Sequence, residues 1–339
     1  MQSKTKALRT ALAAAALALS TTAAHAQSVT LKFATIDPAQ GQNVAQVIVP
    51  LGKELSEASG GALKLDIFAG GTLGRNPLQQ LKLVQDGIAD IAWVIPGYTP
   101  GRFDDTEVVE LPFLINNARE GAIGLSRLHA KKLIRGLEGL KVLAWCTTAV
   151  ANFHGKSPIK SLADLRGKKT RASSSQAAKV LQALGAVPVQ MGAPQVAESL
   201  ARGVLDLSLN DWSFVATFRL DEVAEHHLAV PMGALAFMVV MQQSRYDALP
   251  PAAKAALDRY SGEALGLRFA TAIDTAAGEY MERSTKSGKG SMVLVPASEQ
   301  AAWHKLTDPV VAAWRKAKPG NEQVYLAFTE EMQKVRAGK

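Results

Sequence analysis

Residues 167–212, GKKTRASSSQAAKVLQALGAVPVQMGAPQVAESLARGVLDLSLNDW, decide the fold. GKKTRA has the length and composition of a short strand. Ser174 or Ser175 then caps a helix whose Ala177, Val180, Leu181 and Leu184 form one apolar stripe, and Gly185 ends it. VPVQM predicts the next strand, PQVAESLARG the next helix, and VLDLSLN a third strand. Strand, helix, strand, helix, strand implies an α/β unit with a parallel sheet covered on both faces.

The same rhythm stands earlier in the chain. VTLKFATI (29–36) places Val29, Leu31 and Phe33 on one strand face, and VAQVIVPLGKELSEASGG has helical spacing that closes on glycine. ALKLDIFA (62–69) is a second strand. NPLQQLKLVQDG opens with Asn76 as cap and Pro77 at the first helical position, and IADIAWVI (88–95) is an apolar third strand. The two units share a phrase, VQDGIADIAW (84–93) and LARGVLDLSL (200–209), each running helix, glycine, two apolar residues, aspartate, strand. Two similar lobes facing each other form a cleft, and such clefts bind small molecules. No Pro- or Ser-rich linker separates them, so short strand-like crossings are expected to join the lobes more than once, a hinge that permits closure. From PPAAKAALDRYSGEALGLRFATAIDTAAGEYMERS onward the pattern is helical, its first helix long enough to bridge both lobes.

At 339 residues the chain exceeds what one hydrophobic core usually serves. Residues 1–26 read as a secretory signal peptide: Lys4, Lys6 and Arg9 precede the short apolar run ALAAAALALS, and Ala24-His25-Ala26 is a small-x-small cleavage site before Gln27. The apolar run is far short of the ~20 residues of a bilayer span. Three of the 38 basic residues and no acid lie in this segment, so the mature chain keeps 35 basic against 30 acidic residues, a mild excess. That charge is spread along helices without interleaved aromatics, which argues against a nucleic-acid partner. Cys146, the sole cysteine, sits in the apolar run LKVLAWC and reads as an inert core thiol.

In open α/β sheets ligands sit beyond the carboxyl ends of strands: here Ile36-Asp37, Ala69-Gly70, Ile95 to Tyr98, Arg171 to Ser173, Met191 and Asn210-Asp211-Trp212. Arg171 ends a strand and precedes a helix start, and its planar five-donor fork suits a carboxylate. Serines 173 to 175 and the free amides of that helix favour an anion as well. Arg166, Lys168 and Lys169 are expected in water. On the residues alone, an arginine so placed is more often a solvated or structural ion-pair partner than a ligand contact. Asn210, Asp211 and Trp212 make either a polar and aromatic ligand wall or a turn with a packing tryptophan. Phe153 and His154 could border the same cleft, but for them and for Trp93 core packing is the more frequent fate.

Catalytic and metal signatures are missing from the sequence: no G-x-S-x-G, C-x-x-C, H-E-x-x-H or G-x-x-x-x-G-K occurs. GGTLGR (70–75) lacks a phosphate-loop lysine and reads as a turn, and the consecutive Glu225, His226 and His227 point in different directions, unlike a zinc site. No cofactor and no metal are expected, and no enzyme.

The stretch PIKSLADLRGKKTRASSSQAAKVLQALGAVPVQMGAPQVAESLARGVLDLSLNDW (158–212) resembles the second-lobe core of the solute-binding proteins of tripartite ATP-independent periplasmic (TRAP) transporters, the DctP-type extracytoplasmic receptors. That pattern is P-I-K-x-x-x-D-L-x-G-x-K-x-R, then A-L-G-A-x-P-V-x-M, then A-L-x-x-G-V-x-D-G. GGTLGR, LVQDGIADIA, VVELPFL and GYTPGRF fit it in the first lobe, so the similarity covers nearly the whole mature chain. The resemblance implies a two-lobed periplasmic binding protein of type II-like α/β fold, with a hinge and a long helix spanning both lobes. The expected division is 27–147 with 235–275 as lobe I and 148–234 with 276–339 as lobe II. The resemblance further implies a periplasmic monomer that delivers a small organic acid to the membrane subunits of a TRAP transporter. In it the strand-end arginine that pairs with the ligand carboxylate matches Arg171, and the cleft asparagine matches Asn210. Leu207 replaces a family glycine, and Val150 stands where many members carry a second arginine. Loss of that cation counts against dicarboxylates and sialic acids. With Trp212, Phe153, Tyr98, Trp93 and Met191 as further candidate ligand contacts, a monocarboxylate with an apolar or aromatic body is expected. An ABC-type or tricarboxylate-type receptor, or an exported lyase or hydrolase using the same cleft, are the alternatives.

Overall fold

The computed structural model describes residues 28–339, so the signal peptide expected at 1–26 lies outside the described residues. The chain forms two sheets, each wrapped in helices. The first lobe holds β1 (Val29–Ala34), α1 (Val49–Ala58), β2 (Leu63–Phe68), α2 (Gln80–Gln85), β3 (Ile91–Val94), α3 (Ala118–Ala130) and β4 (Leu140–Thr147). The second holds β5 (Asn152–Gly155), β6 (Lys169–Ala172), α4 (Ser175–Ala183), β7 (Val187–Gln190), α5 (Val196–Ala201), β8 (Leu207–Asn210), α6 (Trp212–Thr217) and β9 (His226–Ala229). The chain returns to the first lobe with β10 (Ala236–Gln242), α7 (Gln243–Asp247) and α8 (Pro251–Arg259), crosses again in α9 (Glu263–Lys286), and ends with β11 (Ser291–Leu294), α10 (Gln300–Ala317) and α11 (Asn321–Arg336). Among the described residues no helix is long and apolar enough to cross a membrane.

Local sequence explains most of these boundaries. Ser174, the first of the two serines considered, caps α4 by accepting from the Ala177 amide, and Gly185 takes the left-handed conformation just past the helix end. Asn76 caps as expected, but the turn that follows, Pro77–Gln79, is 3-10 and the α-helix starts only at Gln80. Pro50 has no N–H to give, and the segment ahead of α1, Asn43–Ile48, winds as a π-helix. The shared phrase has one structural role in both lobes. Asp90 accepts from the Lys32 amide at 2.8 Å and Asp206 from the Lys169 amide at 2.8 Å, each tying the start of one strand to its neighbour.

The sheets are not wholly parallel, which corrects the expectation. β2, β1 and β3 run parallel, but β10 inserts antiparallel between β3 and β4. In the second lobe β7, β6 and β8 are parallel, while β5 pairs antiparallel with β8 and β9. The reason is the double crossing: β5 and β10 each enter their sheet directly from the other lobe and so arrive from the opposite end.

The crossings lie side by side. The Thr148 amide donates to the Leu235 carbonyl at 2.9 Å, Ala151 to Gly233 at 2.8 Å and Met232 back to Ala151 at 3.2 Å. The third connection is α9, which packs on α3 and β4 of the first lobe and on α6 of the second. The helix expected from Pro250 onward is broken at Gly262, whose φ of 78° lies in the left-handed region, so α9 and not α8 spans the lobes. The expected division placed residues 276–339 with lobe II. α10 does pack against α4 there, but α11 lies on α3 of the first lobe. Gly124 makes this possible: a β-carbon there would stand 2.3 Å from the Phe328 ring, which together with Met332 fills the first-lobe core. Glu331 is pulled to the same surface by Arg127 and Lys131, at 2.9 and 2.7 Å.

Candidate ligand-binding site

Between the lobes the strand ends of both sheets and the two crossings enclose a cavity, about 590 Å³ of space between atoms counted out to its open mouth. Its floor is the hinge itself, with Thr148, Ala151 and Met232 to Leu235 among the lining residues.

Arg171 reaches this cavity from the end of β6. Lys169 and Arg171 share one face of β6, but Lys169 stands exposed at the start of the strand whereas Arg171, two residues nearer the cavity, is 1 % exposed, and Arg166 and Lys168 stay in water. The opening basic run is therefore a solvated surface with one inward-facing member. The guanidinium donates from Nε and Nη2 to the Met191 carbonyl, both at 3.3 Å, and from Nη2 to the Tyr98 hydroxyl at 3.3 Å. With the Asn210 amide oriented to satisfy its neighbours, its oxygen accepts from Nη1 at 2.7 Å and its nitrogen donates to the Leu209 carbonyl at 3.1 Å. Phe214 lies under the cation at 5.5 Å. Among the described residues no carboxylate comes within ion-pair distance of Arg171. Burial lowers its pKa, with Tyr98 and, farther off, Asp211 and Glu110 acting the other way.

Three acids also line the cavity, and burial holds each above its usual range. Glu110 is pushed up to about 8, Asp37 to about 6 and Asp211 to about 6. Asp211 caps α6 through the Ser213 and Phe214 amides, at 2.8 and 3.2 Å, and Asp37 accepts from Asn43 at 2.7 Å. The remaining wall is apolar: Ile36, Ile95, Leu209 and Phe214, with Phe218 and Phe237.

Of the candidates read from sequence, Arg171, Asn210 and Tyr98 meet in this cavity. Met191 contributes its backbone carbonyl to Arg171 and is not among the lining side chains. Trp212, one residue into α6, is carried round the helix away from the cavity and packs its ring 4.8 Å from His154 and 4.5 Å from His227. Phe153 is fully buried in the second-lobe core beside Trp303, and Trp93 lies in the first-lobe core against Phe269. Trp93 also stacks at 4.6 Å on Phe237, which does line the cavity, so it acts one layer behind the wall. The cavity residues that sequence reasoning passed over are Glu110 and the phenylalanines 214, 218 and 237. Phe214 and Phe218, four apart directly after the strand-end Asn-Asp pair, carried a readable helical signal.

Contacts across the seam between the lobes show them shut. Besides Tyr98 with Arg171, Ser174 of the second lobe donates to Glu110 of the first, and Thr217 donates to Gln42 at 2.8 Å. A β-carbon on Gly192 would stand 2.5 Å from Cγ of Pro77 in the opposite lobe.

Comparison with known proteins agrees with this geometry. The sequence profile described as DctP, bacterial extracellular solute-binding protein, family 7, matches residues 33–317. The C4-dicarboxylate-binding periplasmic protein DctP of Rhodobacter capsulatus is 26% identical over 313 residues, 88% of this chain and 89% of that one. A marine metagenome TRAP solute-binding protein specific for aromatic acid ligands, solved with 3-hydroxybenzoate, superposes with a TM-score of 0.85 at 28% identity, covering 91% of this chain and 99% of that one. A TRAP solute-binding protein from Rhodoferax ferrireducens T118, solved with copurified benzoate, gives 0.86 at 26% identity over 92% and 100% of the two chains.

Proposed function

Because this chain belongs to the DctP family of bacterial extracellular solute-binding proteins, we propose that it captures an apolar or aromatic monocarboxylate between its lobes and delivers it to the membrane subunits of a TRAP transporter. The single observation that carries the reading is Arg171, a buried guanidinium with no carboxylate among the described residues within ion-pair distance. A cation withdrawn from water is costly unless it is paired, and a ligand carboxylate supplies the missing charge with bidentate geometry.

The body of the ligand follows from the rest of the wall. Rings and aliphatic side chains surround the space beside Arg171, and the other ionisable groups are acids. A second carboxylate on the ligand would face Glu110 and Asp37 and not a second cation. Val150, at the position where the resemblance expects another arginine, is instead packed against the first-lobe core. These features favour one negative charge on an apolar frame.

The mechanism is a shift of population. A ligand held by Arg171, Asn210 and Phe214 on one lobe and by Tyr98, Ile36, Ile95 and Phe237 on the other makes its full set of contacts only when the lobes are closed, and so favours closure in proportion to that difference. In this reading the receptor releases its ligand unchanged. Export by the leader expected at 1–26 places this cycle in the periplasm, and a mature N-terminus at Gln27 would be read by protein sequencing of the secreted chain.

The test is a thermal-shift screen of benzoate, hydroxybenzoates, aliphatic monocarboxylates and C4-dicarboxylates, followed by titration calorimetry and chromatography of the recovered ligand. Aromatic monocarboxylates are expected to stabilise the protein most and to return intact. Preference for a dicarboxylate, or turnover of any acid, would overturn the reading.

A further inference from the structure

Glu110 ends the 3-10 turn Asp104–Glu110 on the first lobe, and its side chain is 4 % exposed. One oxygen, Oε2, accepts from Ser174 on the opposite lobe. Ser174 also accepts the Ala177 amide at 3.0 Å, so its only proton goes to Glu110. The second oxygen, Oε1, is buried without any partner, and among the described residues no cation comes within ion-pair distance of the carboxyl. The charged groups that act on it are Glu107, which opposes ionisation, and Arg171 and Lys179, which favour it, while burial outweighs all three. A carboxylate cannot be held charged on one hydroxyl hydrogen bond in such a place. The neutral acid costs far less there: Oε2 accepts from Ser174 and Oε1 carries the proton.

The opposite lobe completes the burial of Glu110, beside Gly97 of its own lobe and the hinge residue Gly233. Ser174 approaches from the second lobe, and Gly97, on the first, leaves the gap in which they touch, for a β-carbon there would stand 3.1 Å from the Ser174 side chain and 3.4 Å from Oε1. Parting the lobes would remove Ser174 and admit cleft water to Glu110, where a glutamate ionises near its ordinary value. Asp37 and Asp211 differ in this respect, since both find their hydrogen-bond partners inside their own lobe.

We infer that Glu110 is a proton-binding site formed by closure, so that the receptor takes up one proton from solvent together with each organic anion it captures. The inference rests on the carboxylate reading of the same cavity. The two guests assist one another. Once a ligand carboxylate neutralises Arg171, the nearest cation no longer favours an ionised Glu110, and a neutral Glu110 no longer competes with the ligand for that cation; linkage makes the effect reciprocal. One cation, one anion and one neutral acid then share the closed cavity, and opening releases the proton with the ligand.

The sign of the pH dependence follows. Glu110 moves from its ordinary 4.5 in water toward about 8 in the closed form, so the closed, liganded protein holds more protons than the open one between these values. Affinity falls as pH rises through that window, at most tenfold per pH unit, and levels off above it.

The experiment is titration calorimetry of the full mature chain with 3-hydroxybenzoate, and with benzoate as second probe, at pH 6.5 in buffers of different ionisation heat. The wild-type protein is expected to take up about one proton per ligand. Glu110→Gln is expected to bind with uptake near zero and with a flat pH profile between 5.5 and 8. Carboxyl carbon NMR of the liganded wild-type protein, expected to show Glu110 protonated at pH 6.5, gives a second readout that does not depend on the variant folding. Binding without proton uptake, uptake that persists in Glu110→Gln, or an ionised Glu110 in the complex overturns the inference alone. No binding heat with either acid overturns the aromatic-acid reading, and this inference with it.

Discussion

The hydroxyl of Tyr98, on the first lobe, accepts a hydrogen bond from Nη2 of Arg171, on the second, at 3.3 Å. The pair spans the seam at the point where the guanidinium borders the cavity, so the residue proposed to meet the ligand's charge also reports whether the lobes are closed. Met191 and Asn210 hold the same guanidinium from within its own lobe, at 3.3 and 2.7 Å. They fix its plane before any ligand arrives.

Arg171→Ala is expected to lose about 3–5 kcal/mol of binding, two orders of magnitude or more in affinity, because the ligand carboxylate would be buried unpaired. The ligand-free melting temperature should change little, since the wild-type cation has no anionic partner to lose. Calorimetry and thermal unfolding check both halves, and binding that survives the substitution removes Arg171 from the site.

Tyr98→Phe deletes one hydrogen bond of the closed form and leaves the ring in place. A loss of about 0.5–1.5 kcal/mol, up to about tenfold, is expected, and it should appear mainly as faster dissociation in stopped-flow displacement.

Gly192→Ala puts a methyl group into the rigid ring of Pro77 across the seam. The lobes then cannot meet fully. Small-angle scattering with saturating 3-hydroxybenzoate should give a larger radius of gyration than the wild-type complex, with weaker binding and an unaltered far-UV spectrum. A wild-type radius would show that this contact does not limit closure.

Phe153→Ala separates core from ligand wall. In the fully buried position described, it should cost about 3–5 kcal/mol of stability in denaturant titration while the folded fraction binds ligand with wild-type affinity. A selective loss of binding would put Phe153 back in the cavity.

His227→Gln probes the pair behind Asn210. The Asn210 carbonyl accepts from His154 Nε2 at 3.0 Å, which makes His154 Nδ1 the acceptor for His227 Nδ1 at 2.9 Å and leaves His227 Nε2 to accept from Ser284 at 3.1 Å. Burial depresses both rings, His154 to about 3 and His227 to about 4, so the unfolded chain binds more protons between there and 6.5. Wild-type stability therefore falls, relative to the glutamine variant that lacks only the His227 ring, as pH drops from 6.5 to 4, by at most about 1.4 kcal/mol per pH unit. Buried Asp37 and Asp211 act in the opposite sense, which is why the variant is the reference and melting curves at matched pH are the measurement.

The strand and helix rhythm of residues 167–212 was legible because apolar spacing, a serine cap and a left-handed glycine agree locally, and Arg171 was legible because it ends a strand before a helix start. What escaped was tertiary. Nothing near Phe153 or Trp212 distinguishes a ring that faces a core from one that faces a cleft, since one step along a strand or helix reverses the outcome. Glu110 sits outside the strand ends, in a turn whose position depends on the hinge. The antiparallel strands β5 and β10 are set by the route of the chain between lobes, and α11 returns to the first lobe because Gly124 leaves room for Phe328. Neither is written in local periodicity.

The two crossings at 148–151 and 232–235 are bonded rung to rung, so they flex as one ribbon and not as two independent strings. Motion of the jaws is thereby confined to a swing about a single line, with α9 as a third tether that limits sliding along it. Arrival and departure of the solute share one gateway on the side opposite that line, and a membrane partner needs only to pry the gateway, without contacting the guest, to empty the receptor.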